Sequence, residues 1–367
     1  MQHGFVKIAA ATPRLSLADP AANAAEACKC ITQAADLGVK VLCFPALNLT
    51  GVTCGDLLLQ EPLLTAAEQA LCTGVSATAG KDLLCFVGLP VAEGDAVYAV
   101  TAAVYDGAVL GFVPEDDAPE TLFWNGSEIP CDKDLLFCHS RLRDLRVGAY
   151  ENEDATLICI PGANYEAAGS AEARRADLRA ASLGGLCAIL EANPGPGESS
   201  QDRVYAGHAL VGELGEILTE QRWQSGLLVS EIDTQAIAQL RRRAETPAAA
   251  SERVFWGKDL CDTALTRKVS TAPFLHGRDE ADFCREILRL QAEGLRRRMD
   301  CTGTKKLIIG VSGGLDSTLA LLVAATALDL SGRPREDLLA VTMPASAPLH
   351  APAPTRKFCP SVWAPAS

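Results

Sequence analysis

Leu307–Val323 reads LIIGVSGGLDSTLALLV and contains three kinds of sequence in a row. The apolar start favours a strand, the SGGLDS segment favours a tight turn, and the apolar run after it favours a helix. Gly313 and Gly314 allow backbone N–H groups to turn towards an anion, and a helix beginning near Asp316 would direct its positive end to the same place. The stretch therefore predicts a strand–loop–helix unit that binds phosphate groups.

The residues of this predicted nucleotide site are Gly310, Ser312, Gly313, Gly314, Leu315, Asp316 and Ser317. The two serines can donate hydroxyl groups, and Asp316 is placed either to hold Mg²⁺ or to cap the helix. The loop lacks the Gly-Lys-Ser/Thr ending of a Walker P-loop and the GxGxxG pattern of a dinucleotide-binding fold. The alternative is a glycine-rich turn with a good helix cap, but the combination of strand, loop and apolar helix favours the nucleotide site.

The sequence around the loop predicts one piece of a doubly wound domain over residues 281–344. A helix is predicted over about Phe283–Arg298, and EDLLAVTMPA (336–345) predicts a second strand. Residues 345–367 are Pro-rich and show no periodicity, so we predict a disordered, aberrant tail. The abrupt loss of pattern after TMP favours a change of reading frame, and a domain left half-built there would bind ATP weakly.

Residues 1–235 alternate short apolar strands with Ala-rich amphipathic helices. Two hairpins, with turns at Asp106–Gly107 and Leu214–Gly215, interrupt this alternation. We therefore predict one α/β domain with mixed sheets. Residues 236–280 are predicted to be a polar helix followed by a linker.

Composition and charge exclude several classes of function. The net charge is −13, which argues against a nucleic-acid or anionic-membrane partner, and the basic Arg296–Arg298 is predicted to be a solvated helix end. No apolar run is long enough to span a bilayer, and the N-terminus reads as a first strand, so we expect a cytoplasmic protein. The fourteen cysteines include no CxxC motif, and the close pair Cys28 and Cys30 lies on different faces of a predicted helix. A zinc site is therefore not expected.

The order of these parts resembles the glutamine-dependent NAD⁺ synthetases, in which a nitrilase-like glutaminase domain precedes an ATP-pyrophosphatase synthetase domain. The resemblance covers about residues 5–344. The matching stretches are FPALNLTGVTCGDLL (44–58), FVGLPV (86–91), GFVPE (111–115), VGAYENED (147–154), ANPGPGESSQDRVYAGHALVGELGEIL (192–218), EILRLQAEGLRRR (286–298), KKLIIGVSGGLDSTLALLVAATALD (305–329) and AVTMP (340–344). The resemblance implies an α/β protein: a nitrilase-like α-β-β-α sandwich followed by the start of a Rossmann-like, doubly wound domain.

The family resemblance also implies an activity. In such enzymes glutamine is hydrolysed and its ammonia is passed to adenylated deamido-NAD⁺, with ATP and Mg²⁺ as cofactors and a homo-oligomer as the assembly. The nitrilase chemistry uses a Cys nucleophile, a Glu base and a Lys that stabilises the oxyanion. Position by position, this chain has Ala46 for the Glu, Glu115 for the Lys and Asn152 for the Cys. No family catalytic residue is intact, so we predict a first domain without glutaminase activity.

Other groups do not replace the missing set in the sequence. Glu151 and Glu153 flank Asn152, but on a strand they would point to the opposite face. Cys54 and Cys159 are predicted to be core thiols. The surviving GPGESSQD…GH backbone (195–208) suggests a retained scaffold or subunit interface.

Three readings of the function remain open. The chain is either a member of the synthetase family, predicted to lack glutaminase activity and synthetase activity as well, or a non-enzymatic, truncated homologue that acts as a nitrilase-fold scaffold or oligomerisation module. A free-standing amidase would need the Cys–Glu–Lys set. GMP and asparagine synthetases share the phosphate loop but not the first domain.

Overall fold

The computed structural model describes residues 4–199, 202–244, 251–258, 263–269 and 280–342. The chain divides into two compact units, Met1–Arg267 and Lys268–Ser367. Both mix helices and strands, which confirms the predicted α/β class. The predicted tail 345–367 lies outside the described residues.

The first unit contains four α-helices and fifteen strands among its described residues, together with a short 3₁₀ turn at Gly55–Leu59. The helices are α1 (Pro20–Asp36), α2 (Glu61–Ala77), α3 (Ser170–Gly184) and α4 (Thr234–Arg243). The strands are β1 (Phe5–Thr12), β2 (Val41–Cys43), β3 (Leu84–Glu93), β4 (Ala96–Tyr105), β5 (Ala108–Pro114), β6 (Thr121–Trp124), β7 (Ser127–Pro130), β8 (Leu136–His139), β9 (Arg146–Ala149), β10 (Leu157–Pro161), β11 (Ala188–Ala192), β12 (Ala209–Glu213), β13 (Glu216–Gln221), β14 (Gly226–Asp233) and β15 (Arg253–Trp256).

Thirteen of these strands form two large mixed sheets, and β6 and β7 form a separate two-stranded sheet. The first has the order β14-β1-β2-β3-β4-β5, and the second has the order β13-β12-β11-β10-β9-β8-β15. The strands β1, β2 and β3 are parallel, whereas β3, β4 and β5 are antiparallel neighbours. Both predicted hairpins are present, β4–β5 and β12–β13, and they account for the mixed character that the sequence predicted.

The two sheets pack face to face, and helices cover their outer faces. The central core contains apolar side chains from both sheets, among them Phe86 and Phe137, whose rings meet edge to face at 5.6 Å. A second cluster joins α1 and α2 to the first sheet, and a third joins α3 to the second sheet. The first unit is therefore the predicted α-β-β-α sandwich.

Local sequence fixes the ends of α1. Asp19 caps its N-terminus, since the Asp19 carboxylate accepts a hydrogen bond from the Ala22 backbone N–H at 3.1 Å. Pro20 occupies the first turn, where its missing N–H costs nothing. Gly38 follows the helix with a φ of 75°, a left-handed conformation that favours glycine. The helix therefore ends at Asp36, and the chain turns away at Gly38.

The segment predicted as a linker contains structure that belongs to the first unit. After α4, strand β15 pairs in parallel with β8 at the edge of the second sheet, and Trp256 is only 2% exposed. Further on, the buried Glu231 carboxylate accepts hydrogen bonds from the Thr266 N–H at 3.0 Å and the Arg267 N–H at 2.5 Å. The Arg267 guanidinium lies 2.8 Å from Glu213. The first unit therefore extends beyond residue 235 to Arg267, and part of the predicted linker 236–280 belongs to it.

The second unit is smaller. Its elements are α5 (Glu280–Thr302), β16 (Leu307–Gly310), α6 (Leu315–Leu330) and β17 (Leu338–Val341). The two strands are parallel, and α5 and α6 pack on one face of the pair through Met299, Ala324 and Leu328. The predicted strand–helix–strand unit is confirmed. On the opposite face of the strands, Ile308 is 74% exposed and Leu339 48% exposed.

Two surface predictions can also be placed. Arg297 and Arg298 are exposed near the end of α5, as expected of a solvated helix end, and Arg296 is half-buried beside Glu293 at 2.9 Å. None of the helices in the described ranges combines the length and the apolar character needed to cross a bilayer.

Candidate functional site

Ala46 lies in the loop that follows β2, and it is buried. Its backbone N–H donates to the carbonyl of Gly162 at 3.0 Å, which ties this loop to the segment after β10. Gly88 of β3 lies directly beneath the loop, and a Cβ atom there would come within 2.7 Å of the Pro45 carbonyl oxygen. The position that the family resemblance assigns to a general base therefore carries only a methyl group, in a tightly packed place.

Asn152 lies in a turn after β9 and not on a strand. The prediction that Glu151 and Glu153 point to the opposite face assumed a strand, and that assumption is wrong. Its side-chain oxygen accepts a hydrogen bond from the Asp154 N–H at 3.0 Å, and its amide nitrogen donates to the Asp134 carbonyl at 3.2 Å. A Cβ atom on Gly148 would lie 2.6 Å from the Asn152 Cβ, so the side chain packs against that glycine. Asn152 is used as a turn-forming residue.

Glu115 follows β5, and its side chain is exposed. Partial burial, and then the neighbouring Asp116, raise the pKa of its carboxyl above the ordinary value. A lysine at this position would supply positive charge, whereas Glu115 and Asp116 make this edge of the site acidic. No hydrogen bond or ion pair among the described residues joins Ala46, Glu115 and Asn152 to one another.

Tyr150 is a site residue that the sequence interpretation missed. It has a φ of 59°, and its phenol oxygen lies 3.0 Å from the Thr101 hydroxyl oxygen on β4. Burial is the main cause that raises the pKa of this phenol, and the charge of Glu115 adds to it. No motif in the sequence identifies this tyrosine, because its place in the site depends on the left-handed backbone at residue 150.

The candidate thiols lie in the core, as predicted. Cys54 is 6% exposed and its Sγ contacts the Thr50 carbonyl at 3.2 Å, while Cys159 is fully buried and contacts the Cys43 thiol. Burial raises the pKa of Cys54, and the nearby Glu198 raises it further, although a backbone contact at Ala18 opposes them. The thiolate form that a nucleophile requires is thus disfavoured at Cys54.

The GPGESSQD stretch has a structural role in its described part. Gly197 has a φ of 103°, and a Cβ atom there would collide with the Leu15 carbonyl. Next to it, the buried Glu198 carboxylate accepts hydrogen bonds from the Thr53 N–H at 2.8 Å and from the Thr53 hydroxyl at 3.0 Å. This stretch therefore fastens the loop that carries Cys54.

A buried charge network lies at the far side of the second sheet. Glu166 pairs with Arg174 and with Arg222, each at 2.6 Å, and His208 is fully buried with its Nε2 atom 2.9 Å from Glu220. Burial lowers the pKa of His208 most strongly, Arg174 lowers it further, and Glu220 opposes them. The His208 Nδ1 atom lies 3.8 Å from the Glu166 carboxylate, which joins the two groups into one cluster of charges of both signs.

The buried histidines should give the first unit a measurable pH dependence. Burial lowers the pKa of both His139 and His208, so the unfolded chain binds more protons below about pH 6.5 and these two residues withdraw stability as the pH falls. The carboxyls of Glu191 and Glu198, whose pKa values burial raises, act in the opposite sense. Urea unfolding at pH 7.5 and 5.5 should therefore show that acidification costs wild type more than it costs a His139→Gln/His208→Gln double variant. An equal or smaller loss in wild type would contradict the assignment.

In the second unit, the predicted nucleotide loop connects β16 to α6. Gly313 has a φ of 86°, and Gly314 is the residue that caps α6, so Asp316 is not the cap but lies in the first helical turn. The hydroxyls of Ser312 and Ser317 lie 3.2 Å apart, and the Ser317 hydroxyl also donates to the Gly314 carbonyl at 3.1 Å. All seven predicted residues thus lie in one exposed strand–loop–helix connection.

The loop fits a phosphate group by its backbone. Nothing lies within 4 Å of a Cβ atom built on Gly313, so there is open space on that side of the loop. The first N–H groups of α6 point out of the helix end, where anions are stabilised. A metal cluster is not formed by the described residues, and neither Cys28 nor Cys30 contributes to one. Mg²⁺ at Asp316 stays a prediction.

Comparison with known proteins gives independent evidence for both units. A family model described as NAD synthase matches residues 287–353, which runs past Pro344, where we predicted the family pattern to end. The glutamine-dependent NAD(+) synthetase of Mycobacterium bovis is 33% identical over 393 residues, a match that covers 94% of this chain. The chain spans 58% of the length of that relative.

Solved structures agree at the level of the fold. A glutamine-dependent NAD(+) synthetase from Cytophaga hutchinsonii matches with a TM-score of 0.56 at 19% identity, covering 88% of this chain and 52% of that chain. Nit3 of Saccharomyces cerevisiae, a member of the nitrilase superfamily, matches with a TM-score of 0.50 at 14% identity, covering 65% of this chain and 94% of that chain. The chain is therefore a homologue of the glutamine-dependent NAD(+) synthetases over the part that it shares with them, and its first unit has the nitrilase-like fold.

Proposed function

We propose that this protein is an NAD(+) synthetase homologue whose first unit does not hydrolyse glutamine and whose second unit carries a loop for the phosphates of ATP. The observation that carries the first part is the Asn152 side chain, whose two polar atoms are both engaged in backbone hydrogen bonds. An amide held in this way is neither a nucleophile nor available to become one.

The other two positions add to this proposal. A thiol nucleophile needs a base to take its proton, and the methyl group of Ala46 cannot do so. The tetrahedral intermediate of amide hydrolysis develops negative charge on oxygen, and the acidic Glu115 would repel that charge. Removing the nucleophile alone abolishes most of the rate enhancement in sites of this kind, so residual hydrolysis by the remaining residues is not expected.

For the second unit, the backbone of Gly313, Gly314 and Leu315 would bind phosphate oxygens, and the Ser312 and Ser317 hydroxyls would add donors. Asp316 is placed to hold the Mg²⁺ that accompanies the nucleotide. Bound ATP would supply the leaving group that activates a carboxylate for amide formation. The acceptor, by family resemblance, would be deamido-NAD⁺, and the nitrogen donor would be free ammonia rather than glutamine.

The central experiment measures glutamate released from glutamine by the purified protein. We expect no release above background from wild type, and none from Asn152→Cys, because the base and the oxyanion-stabilising lysine are still absent. The triple variant Ala46→Glu/Glu115→Lys/Asn152→Cys restores the three family residues and tests whether these positions alone account for the missing hydrolysis. Glutamate release by wild type would overturn the proposal for the first unit, and release that persists in Asn152→Ala would assign the activity to other residues.

The second candidate function is a non-enzymatic, nitrilase-fold scaffold that forms a homo-oligomer. The same observation at Asn152 favours it, because a side chain that only stabilises a turn contributes to the structure of the unit and not to a reaction. Titration with ATP and Mg²⁺ separates the two candidates. Saturable binding, followed by ammonia-dependent NAD⁺ formation, supports the ligase, whereas no binding by a stable oligomer supports the scaffold.

A further inference from the structure

The backbone at Tyr150 is unusual for a bulky residue. The φ of 59° lies in the left-handed region, which side chains of this size rarely adopt. The Tyr150 N–H donates to the Cys159 carbonyl at 2.8 Å, so the conformation is fixed by the neighbouring strand β10. Such conformations persist where the surroundings hold them, and they occur preferentially at functional sites.

This backbone conformation sends the phenol from the second sheet across to the first. The Tyr150 oxygen meets the hydroxyl of Thr101, a fully buried residue of β4, at 3.0 Å. Thr101 is paired with Gly88 on β3, and the Ala46 loop lies over Gly88. On its other side Thr101 is paired with Val113 of β5, two residues before Glu115, so the ring ends on the strand that lies between the partners of family positions 46 and 115.

The Asn152 side chain makes different contacts from those of Tyr150. Two residues after Tyr150, its amide is bound to the Asp134 carbonyl and packs against Gly148. In the turn that a nitrilase-like unit would use to present its nucleophile, this chain instead presents a tyrosine. The tyrosine is half-buried and packs against the core that joins the two sheets.

We propose that the Tyr150 phenol fills the pocket in which a nitrilase-like unit would hold a carboxamide, and that this residue closes the first unit to small primary amides. The inference rests on the proposed loss of glutamine hydrolysis and deepens it. The missing catalytic groups would prevent hydrolysis of an amide, whereas Tyr150 would prevent the amide from binding.

Tyr150→Gly is the informative variant, because glycine adopts the left-handed backbone without strain and removes the whole ring. We expect it to bind acetamide and glutamine saturably in calorimetric titration, at least tenfold more tightly than wild type. Tyr150→Phe keeps the ring and should stay closed. Tyr98→Ala removes a half-exposed tyrosine from β4, the same strand that carries Thr101, and should behave as wild type.

Binding of acetamide by wild type as tight as by Tyr150→Gly would overturn the proposal, and so would no binding by a folded Tyr150→Gly. If that variant fails to fold, ¹⁹F spectra of wild type containing fluorotyrosine decide the question. The Tyr150 resonance, assigned with Tyr150→Phe, should not move on addition of acetamide, and a saturable shift would contradict the proposal. Because the readout is binding, this result is independent of whether the first unit hydrolyses glutamine.

Discussion

Gly88→Ala is expected to destabilise the first unit by about 3 kcal/mol, because a methyl group at this position has no space. The new Cβ atom would meet three backbone atoms of the loop above it: the Leu47 nitrogen, the Pro45 carbonyl oxygen at 2.7 Å and the Ala46 carbonyl carbon at 2.9 Å. Backbone atoms cannot rotate away as a side chain can. The loop also donates a hydrogen bond from the Leu49 N–H to the Gly88 carbonyl at 3.1 Å, and its displacement would strain that bond.

Urea unfolding followed by tryptophan fluorescence measures this effect. Gly74→Ala is the matched control, since Gly74 lies in the interior of α2 and nothing lies within 4 Å of its Cβ position. Alanine is the better helix former, so Gly74→Ala should stabilise the unit by up to about 1 kcal/mol. Two Gly→Ala variants of the same unit should therefore have effects of opposite sign. A neutral Gly88→Ala would show that the loop carrying Ala46 adjusts freely.

Arg241→Ala should cost about 3–4 kcal/mol of unfolding free energy, because the side chain is a buried charged donor. Its guanidinium donates to the carbonyls of Ala155 at 3.1 Å and Gly185 at 3.0 Å, and also to that of Glu153. Ala155 is fully buried, so removal of the donor leaves its carbonyl without this partner. Two of the three acceptors, Glu153 and Ala155, lie within three residues of Asn152. The variant should therefore also loosen the turn that carries Asn152.

Arg243→Ala is the control for this prediction, as Arg241 and Arg243 belong to the same run of three arginines. Arg241 is 7% exposed, whereas Arg243 is exposed at the end of α4. Substitution of an exposed arginine should change stability by no more than about 0.5 kcal/mol. Hydrogen exchange of the 153–155 amides, faster in Arg241→Ala alone, would locate the effect. Equal losses in both variants would contradict the assigned role.

The fold was largely predictable where the pattern is local. The hairpin turns at Asp106–Gly107 and Leu214–Gly215, the turn at Gly38 after α1, and the strand–loop–helix around Gly313 all follow from turn residues and periodicity. Strand β15 was not predictable, because four residues at a sheet edge have no periodicity of their own. Its place depends on pairing with β8, more than a hundred residues away in the chain.

The candidate site was predictable in composition but not in geometry. Replacement of the family residues by Ala46, Glu115 and Asn152 is visible in the sequence. That Asn152 forms a turn, and that Tyr150 faces Thr101, depends on a left-handed backbone that no spacing rule foretells. The run Arg241–Arg243 is a second example. Its three arginines look alike in the sequence, and only the fold shows that Arg241 is buried whereas the other two are solvated.

The contacts that Glu231 makes with Thr266 and Arg267 define where the first unit can be separated from the rest of the chain. A fragment ending at residue 235 would leave β8 without its partner β15, lose the aromatic contacts of Trp256 with Tyr105 and His139, and leave the Glu231 carboxylate without these donors. For exchanging the first unit between relatives, or expressing it by itself, the natural crossover point therefore lies just after Arg267.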